Sequence, residues 1–460
     1  MKKIIYYGSL LLVFLALVFS IFLQTTYYHF NSSNVKNNIE IISSDVYEGR
    51  LTGSIGNEKT ADFIEDWFKD INLIPLTEDY KESFYVNTPF ENGNKPSFKI
   101  LNNDKISYDY KYGIDYKEDL LNFNESSVTF NKEDILNIFP TSLTIKHNEK
   151  IYLFYTPSCN NFSFRSSFND KSDYQFSIAI TTKLYNNMLD SLRNNNIIKI
   201  TLPYSKHEKS TSNVVGVING TSKDLPPLVI TAHFDHVGQD YLNNCYGGAL
   251  DNASGTAFLM ELSKNLSSFI KPKRDIIFVA LTGEEFGLLG SSNFAQNHEN
   301  LIKNGEIINF DMIGATNTPI SIMSGSVCKS NKGANINLLN SLETICSNKN
   351  MNYKVEFEDC SDHASFTNMG MDAITLCHSD VSKIHTPNDK VEYIDTKAID
   401  DVYSIVKDEI SNYAYDDLRL VFYNHNFILF LFSLFLFIFF LPTIKKRLKQ
   451  YVNKNKIRVI

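Results

Sequence analysis

The sequence predicts an α/β fold, with a mostly parallel sheet covered by helices on both faces, a strand-rich insert and a transmembrane helix at each end. Three observations carry this prediction. Apolar strands alternate with helices over the latter half of the chain, short aromatic runs fill the region before them, and both ends carry long uncharged apolar segments. With 460 residues, 43% of them apolar, the chain is long enough for one large or two ordinary domains.

The N-terminal segment predicts a transmembrane anchor over residues 1–24. Residues 4–23 carry no charged side chain and follow Lys2 and Lys3, which suits a spanning helix that needs about 20 apolar residues. The alternative is a cleaved signal peptide, but no small-residue cleavage site of the A-x-A type follows the apolar segment. We therefore expect the anchor to stay uncleaved.

The second apolar segment predicts a C-terminal transmembrane helix over residues 420–442, followed by a basic tail over residues 443–460. Residues 427–441 are almost wholly Phe, Leu and Ile. The basic residues of the tail are Lys445, Lys446, Arg447, Lys449, Lys454, Lys456 and Arg458. By the positive-inside rule, both termini should be cytoplasmic and residues 25–419 extracytoplasmic. We expect a cell-membrane protein whose partners include membrane lipid, through two spanning helices.

Charge and cysteine content exclude other classes. A net charge of -8, without a basic face that interleaves aromatic residues, gives no reason to expect nucleic acid as a partner. The six cysteines form no C-x-x-C pair, so neither a zinc ribbon nor a dithiol redox site is predicted. An extracytoplasmic location would permit disulfides, but the spacing indicates no pairing, and free thiols remain the alternative.

Between its two ends the chain divides into three predicted parts: residues 30–97, an insert over residues 98–208, and residues 209–416. The first part contains an amphipathic helix with a recurring apolar face. This face consists of Ala61, Ile64, Phe68 and Ile71, with Trp67 beside it. The insert reads as short strands, such as residues 150–155 and 176–180, separated by Asn-rich and Ser-rich turns. We expect the insert to have a covering or specificity role.

The third part alternates strands and helices, which is typical of a parallel sheet covered by helices. The predicted strands are residues 214–218, 228–232, 276–281, 306–310 and 372–376. The predicted helices are residues 254–267, 288–297 and 335–348. The strands are continuously apolar, which fits burial on both faces of the sheet.

Residues able to bind a metal ion follow four of these strands, directly or in the next loop. In chain order they are His233 and Asp235, Glu284 and Glu285, Asp311, and His385. In open parallel sheets, ligands bind outside the carboxyl ends of the strands. We therefore expect these residues to converge on one crevice, although they span more than a hundred positions.

The residue types favour a centre with two metal ions. The predicted ligands are His233, Asp251, Glu285, Asp311 and His385. Two imidazoles and three carboxylates are too many for one catalytic zinc ion, but they suit two ions that share a bridging carboxylate. Asp251, in a tight loop that opens a helix, is the natural bridge. Cobalt or manganese would suit the same mixed donor set.

Two further acids receive roles beside the ligands. Asp235 lies two residues beyond His233 and is placed to fix the tautomer of that imidazole. Glu284, adjacent to the ligand Glu285, is free to act as general base and to take a proton from a metal-bound water. Each residue alone has an ordinary explanation, such as a helix N-cap for Asp251. Their joint occurrence at consecutive strand ends favours the metal centre.

Several segments resemble the cocatalytic di-zinc aminopeptidase family, which includes bacterial leucyl aminopeptidases, glutamate carboxypeptidase and the transferrin receptor ectodomain. The similar segments are residues 48–54, 232–238, 248–255, 282–291, 309–314, 361–366 and 385–389. The resemblance implies a zinc exopeptidase fold, a peptide substrate and two Zn²⁺ per chain. It makes residues 30–97 the first part and residues 209–416 the catalytic part of a peptidase domain. In placement, the insert resembles a protease-associated domain.

The resemblance also implies individual roles. One zinc would be bound by His233 and Asp311 and the other by Glu285 and His385, with Asp251 bridging and Glu284 as base. Asp362 and His363 would line the site without binding metal. This sequence departs from relatives that place a Tyr just before the final His, because Ile384 precedes His385. The oxyanion donor is thus unassigned, with Tyr241 and Tyr246 as candidates.

We expect an exopeptidase that hydrolyses N-terminal peptide bonds. The alternatives are a carboxypeptidase-type peptidase, a glutaminyl cyclase and a catalytically silent binding ectodomain. Cyclase relatives surround the substrate with Trp, whereas the only Trp here, Trp67, is far in sequence from the metal segments. Silent relatives usually have substituted ligands, whereas all five ligands and the base are present. The ligands do not determine which peptide terminus is read.

Overall fold

The computed structural model describes residues 2–330, 335–415 and 418–457. The predicted anchor begins at residue 1, the predicted catalytic part ends at residue 416 and the predicted tail ends at residue 460. These three positions lie outside the described residues. The description that follows concerns the described ranges alone.

The described chain forms one large sheet, two smaller sheets and a pair of long terminal helices. The α-helices are α1 (Lys2–Thr26), α2 (Ser32–Ile42), α3 (Ile55–Asp70), α4 (Thr182–Arg193), α5 (Ser254–Ser267), α6 (Leu289–Ile302), α7 (Ser326–Ser330), α8 (Asn337–Asn348), α9 (His363–Thr367), α10 (Thr396–Ile410) and α11 (His425–Ile457). The strands are β1 (Lys81–Glu91), β2 (Ser97–Asn102), β3 (Lys105–Tyr110), β4 (Tyr116–Phe123), β5 (Ser127–Phe130), β6 (Ile135–Ile138), β7 (Ser142–His147), β8 (Lys150–Tyr155), β9 (Tyr174–Ile180), β10 (Ile197–Thr201), β11 (Tyr204–Ile218), β12 (Leu228–His233), β13 (Ile276–Leu281), β14 (Glu306–Asp311), β15 (Ile320–Ser324), β16 (Tyr353–Phe357) and β17 (Asp372–His378).

The large sheet is mixed rather than mostly parallel, which corrects the predicted fold class. Its strand order is β1-β11-β13-β12-β14-β17-β15-β16. Strands β13, β12, β14 and β17 run parallel to one another, whereas β1, β11 and β15 form antiparallel pairs. Parallel neighbours need a crossover of a dozen or more residues. Only residues 219–227 join β11 to β12, and only residues 312–319 join β14 to β15, so these links are too short for such a crossover.

Both faces of the sheet are buried, as the continuous apolar strands predict. Along β13, Phe278 belongs to the buried cluster that includes Leu259 of α5 and Val402 of α10. The next residue, Val279, belongs to the cluster on the opposite face with Phe294 of α6. Successive strand residues point to opposite faces, so each face receives every second apolar side chain. Helices therefore cover both faces.

The main secondary-structure predictions are confirmed. The predicted strands at residues 276–281 and 306–310 are β13 and β14, and the predicted helix at residues 254–267 is α5. The insert is rich in strands, with sheets of order β3-β2-β10-β5 and β4-β9-β8-β7-β6. These two sheets and α4 share a separate apolar core. Strands β1, β15 and β16 of the large sheet are absent from the predictions.

The two terminal helices are long and apolar enough to cross a membrane, by length and composition. They pack against each other through a small cluster that contains Val13, Leu17 and Leu431. The Tyr6 hydroxyl donates to the Phe439 carbonyl oxygen at 3.3 Å, which joins the start of α1 to the later part of α11. The helices are therefore antiparallel. Helix α11 continues to Ile457, so the first residues of the predicted tail are helical.

At the opposite end of the sheet from the carboxyl ends of the parallel strands, three acids lie close together. Glu306 begins β14, Asp372 begins β17 and Glu409 lies in α10. Burial, together with the charges of Glu409 and Asp372, raises the pKa of Glu306 to about 8, although Arg274 opposes the shift. Burial also raises the pKa of Glu409. Ionising Glu306 therefore destabilises the folded chain.

We expect Glu306→Gln to stabilise the protein at alkaline pH. An unfolded glutamate titrates near pH 4.3, so the stability that comes from the protonated Glu306 is lost as pH rises through about 8. At pH 9 the free energy of unfolding of the variant should exceed that of the native chain by on the order of 1 kcal/mol. This is less than the full pKa shift would give, because Glu306 is partly solvated. At pH 4 the two proteins should unfold alike.

Thermal unfolding of the full chain in detergent at both pH values measures this difference. Glu299→Gln is the matched control, because Glu299 lies exposed on α6. Equal gains for the two variants, or a Glu306→Gln gain that does not depend on pH, would contradict the assignment.

Candidate metal centre

The predicted metal ligands meet at the carboxyl ends of the central strands. His233 is the last residue of β12 and Asp311 is the last residue of β14. Glu285 follows β13, Asp251 precedes α5 and His385 lies in the loop after β17. Their side chains form two buried groups whose ligand atoms lie within 4.8 Å of one another, and both groups contain Asp251.

The two oxygens of Asp251 face different groups. Its Oδ1 lies 3.7 Å from the Nε2 of His233, which in turn lies 3.4 Å from Oδ1 of Asp311. Its Oδ2 lies 3.3 Å from the Nε2 of His385, which in turn lies 3.0 Å from Oε1 of Glu285. We call the first set, His233 with Asp311, the first half-site and the second, Glu285 with His385, the second half-site. Asp251 stands between them.

The buried atoms fit divalent cations. Among the described residues, Oδ1 of Asp311 is buried without a hydrogen-bond partner, although it faces His233. Burial alone would lower the pKa of both imidazoles. The charges of Asp311 and Glu284 instead raise the pKa of His233 well above its usual value, and Glu285 and Asp251 raise that of His385 to about 12. The site thus has an excess of negative charge, and imidazole with carboxylate is a donor set that zinc prefers.

Hydrogen bonds hold the loop around Asp251 in place. The carboxylate of Asp389 accepts from the backbone N–H groups of Leu250 at 2.9 Å and Asp251 at 3.0 Å. The side chain of Asn252 donates to the Phe310 carbonyl oxygen at 2.9 Å. The peptide bond between Asp251 and Asn252 is cis. These contacts connect the loop to β14 and to the segment after His385.

Asp235 lies behind His233 and mainly holds the backbone of the neighbouring loop. Its Oδ1 is 3.6 Å from Nδ1 of His233, which is too long for a hydrogen bond. Its Oδ2 accepts from the Thr52 hydroxyl at 2.8 Å and from the N–H of Glu285 at 3.2 Å, and its Oδ1 accepts from the N–H of Glu284 at 3.3 Å. It contacts the imidazole, as expected, without bonding to it.

The adjacent acids Glu284 and Glu285 have opposite electrostatic environments. Burial, with the nearby charges of Glu285 and Asp362, raises the pKa of Glu284 well above its usual value despite His233. Burial would also raise the pKa of Glu285, but His385 and His236 hold it well below its usual value. Glu284 is therefore a proton acceptor of raised basicity beside a carboxylate that stays ionised.

A cleft of about 300 Å³ opens onto both half-sites. Its lining residues are Ser167, Asp251, Glu284, Glu285, Asp311, Met312, Met323, Glu356, Glu358, Cys360, Ser361, Thr375, Cys377, Ser379, Val381, Ile384 and His385. None of these lining residues is a lysine or an arginine. Among them, the hydroxyl of Ser361 donates to Oδ2 of Asp311 at 2.7 Å and so leaves Oδ1 facing His233.

His233 and Asp235 lie behind this lining, and the four residues predicted to line the site or to donate to the oxyanion are not part of it either. Asp362 is fully buried, and burial raises its pKa to about 7. Both ring nitrogens of His363 lie within hydrogen-bonding distance of other partners, Thr375 Oγ1 at 2.7 Å and the Glu358 carbonyl oxygen at 2.8 Å. The candidate oxyanion donors, Tyr241 and Tyr246, pack with the apolar core of the insert instead.

The sequence analysis assigned no role to three residues that the structure brings to the site. His236 is buried with Nδ1 3.1 Å from Oε1 of Glu285 and 3.8 Å from Oδ2 of Asp251. Its only signal was the spacing of three from His233. Arg50 donates to backbone carbonyl oxygens of Phe234, Ile42, Gly247 and Gly248. Ser167, from the insert, donates to Oε2 of Glu285 at 2.5 Å, a contact across 118 positions.

Comparisons with known proteins agree with this geometry. The sequence profile of peptidase family M28 matches residues 213–410. Aminopeptidase YwaD of Bacillus subtilis (strain 168) is 27% identical over 216 residues, which is 43% of this chain and 44% of that protein. A protein named probable zinc metalloprotease from Pyrenophora tritici-repentis (strain Pt-1C-BFP) is 40% identical over 108 residues, 23% of this chain and 22% of that one. The matches span less than half the length of these curated relatives.

Solved structures show the same fold. An aminopeptidase from Aneurinibacillus sp. strain AM-1 aligns with a TM-score of 0.59 and 17% identity, over 85% of this chain and 95% of its own. BSAP, a zinc aminopeptidase from Bacillus subtilis, aligns with a TM-score of 0.57 and 14% identity, over 84% of this chain and 96% of its own. Residues 213–410 are thus similar to peptidase family M28, and the chain has the fold of these aminopeptidase structures.

Proposed function

We propose that the protein is a zinc-dependent exopeptidase that binds two Zn²⁺ per chain and hydrolyses N-terminal peptide bonds. The observation that supports this most is the placement of Asp251, whose two oxygens face two separate half-sites. In this proposal His233 and Asp311 hold one ion and Glu285 and His385 hold the other, with Asp251 bridging. When bound, the ions would supply Lewis acidity that lowers the pKa of water and polarises the scissile carbonyl.

Glu284 is the proposed general base. It lines the cleft, and its raised pKa suits a group that accepts a proton near neutral pH. Glu284 takes a proton from the attacking water as the water oxygen bonds to the carbonyl carbon. It then gives that proton to the leaving nitrogen as the C–N bond breaks. Asp235 holds the backbone at Glu284 and Glu285, so it positions the base without touching the substrate.

The charge of the cleft favours an amino terminus over a carboxyl terminus. A substrate carboxylate needs a cationic partner, and the described lining contains only acidic, polar and apolar side chains around the proposed ligands. A substrate ammonium finds Glu358 there, beside Glu356, which already pairs with Lys354 at 2.8 Å. Glutaminyl cyclisation is less favoured, because Trp67 lies on α3 and its indole N–H donates to the Met260 carbonyl oxygen at 3.0 Å, away from the cleft.

The same proposal places the protein at a membrane. A relative from Clavispora lusitaniae (strain ATCC 42720) is named vacuolar membrane protease and is 38% identical over 84 residues, 18% of this chain and 8% of that protein. We propose that α1 and α11 both span, with both termini cytoplasmic and the catalytic domain outside. Residues 30–97 and 209–416 would form the peptidase domain, with residues 98–208 as its insert.

We expect Glu284→Gln to lower the turnover of an aminoacyl-anilide by about 10²–10⁴-fold, because the variant has no carboxylate to accept the proton. Zinc content should stay at about two per chain, since Glu284 is not a proposed ligand. Anilide hydrolysis and metal analysis of the purified full chain measure both quantities. Glu133→Gln, at an exposed position in the insert, is the matched control. Unchanged turnover would contradict the role of Glu284.

We expect His385→Ala to reduce bound zinc from about two ions per chain to about one, because one half-site keeps only Glu285 and the shared Asp251. Asp251→Asn should weaken the binding of both zinc ions. Metal analysis after dialysis against a weak chelator measures the content. His207→Ala is the control, since His207 is exposed on β11. A native chain with one zinc, or with none, would contradict the two-ion proposal.

We expect N-acetylation of a short peptide to lower kcat/KM by more than about 100-fold, because an acetyl cap removes the ammonium that the acidic cleft accommodates. Amidation of the carboxyl terminus should change it little. Cleavage of both capped peptides and the free peptide, followed by chromatography, separates the cases. The reverse preference would indicate a carboxypeptidase, and cyclisation of N-terminal glutamine without cleavage would indicate a cyclase.

A further inference from the structure

We propose that residues 164–168 of the insert are a positioning segment for the second half-site, so that the insert sets the affinity for one of the two metal ions. The inference rests on the proposed metal centre. Its first support is the contact between Ser167 and Glu285. The Ser167 hydroxyl donates to Oε2 of Glu285 at 2.5 Å, and the N–H of Phe168 donates to the Glu285 carbonyl oxygen at 2.8 Å. Oε1 of Glu285 is thereby left to face His385.

The same segment orients the imidazole of His385. Nδ1 of His385 lies 2.8 Å from the Arg165 carbonyl oxygen. A carbonyl oxygen only accepts, so Nδ1 carries a proton, and Nε2, which faces Glu285 and Asp251, is the nitrogen available to a metal ion. The Phe164 ring stacks on this imidazole with a centroid distance of 5.7 Å and an interplanar angle of 16°. Both protein ligands specific to the second half-site are thus held by the insert.

A backbone contact strengthens this arrangement. His385 has φ of 56°, a left-handed conformation that is uncommon for residues other than glycine. The N–H of Arg165 donates to the His385 carbonyl oxygen at 3.0 Å, so the two residues exchange two hydrogen bonds. Residues 164–168 therefore help to hold the loop after β17 in a conformation that its own sequence does not favour.

The positioning segment is itself fixed from two sides. The fully buried Arg165 guanidinium donates to the carbonyl oxygens of Val237 at 2.7 Å and Gln239 at 2.6 Å, in the loop after His233. On the insert side, the carboxylate of Asp119 accepts from the N–H and the hydroxyl of Ser166, each at 2.7 Å. A segment anchored to both the insert and the peptidase fold cannot move independently of the half-site.

The first half-site has different supports. Asp311 receives its hydrogen bond from Ser361, and His233 lies against Asp235, both outside the insert. Among the described residues, no hydrogen bond joins residues 164–168 to His233 or Asp311. A substitution in the segment should therefore weaken the binding of the ion at the second half-site and leave the binding of the other ion unchanged. Groups that orient metal ligands typically account for about 10–100-fold in metal affinity.

The test compares Ser167→Ala with Ser158→Ala in the full chain in detergent, by zinc titration against a chromophoric chelator. Ser158 is the matched control, because it lies exposed in the insert and outside residues 164–168. For Ser167→Ala we expect one of the two zinc dissociation constants to rise about 10–100-fold while the other stays unchanged. Ser167→Thr keeps a hydroxyl and should recover most of the affinity, and Ser158→Ala should bind both ions as the native chain does.

Thermal unfolding of the zinc-free proteins separates positioning from general loss of fold. If Ser167→Ala binds both ions as tightly as the native chain, or if Ser167→Ala and Ser158→Ala weaken binding equally, the positioning role is contradicted. If the zinc-free Ser167→Ala chain unfolds at a lower temperature and Ser167→Thr does not recover affinity, Ser167 is structural only. If the native chain itself binds fewer than two zinc ions, the metal centre fails, and this inference with it.

Discussion

The structure depends on a concentration of buried negative charge at the carboxyl ends of β12, β13 and β14. Asp251, Glu284, Glu285 and Asp311 all line one cleft, and the described residues that line this cleft include no lysine or arginine. Unbalanced buried charge is costly. The chain alone meets this cost by protonation, which is why the pKa values of Glu284 and His385 are raised. Metal ions at the proposed ligands and a substrate ammonium in the cleft would relieve the same imbalance.

Arg50 supplies a buried positive charge near these carboxylates. Its guanidinium is fully buried, and burial lowers its pKa to about 10 even though Asp251, Asp389 and Asp235 raise it. It donates to carbonyl oxygens in the loop after β12 and in the loop before Asp251. One cation thus joins two ligand-bearing loops to the N-terminal part of the chain. A buried arginine needs several acceptors at fixed positions, so Arg50 gives residues 48–54 a structural role in holding these loops.

The sequence predicts what depends on local pattern. Continuous apolar runs locate the parallel strands, and ligands that follow those runs must meet because parallel strands share one carboxyl edge. The antiparallel direction of β11 was also predictable from the sequence, because the nine residues that link it to β12 are too few for a crossover. The alternation of strands and helices favoured a parallel sheet instead. His236 and Ser167 were not predictable, because their roles depend on contacts with Glu285 across 49 and 118 positions. No local pattern records such contacts.

The insert is connected to the peptidase fold at two places, and the second of them brings Ser167 to the cleft. It leaves the large sheet along an antiparallel ribbon in which β1 and β11 pair over their length, from Lys81 with Val214 to Glu91 with Tyr204. A single ribbon would allow it to swing as a separate body. Ser167 and Arg165 return from it to Glu285 and to the loop after β12, which closes a second connection. Because both connections must hold at once, the insert belongs to the proposed metal centre and is not a separate covering domain.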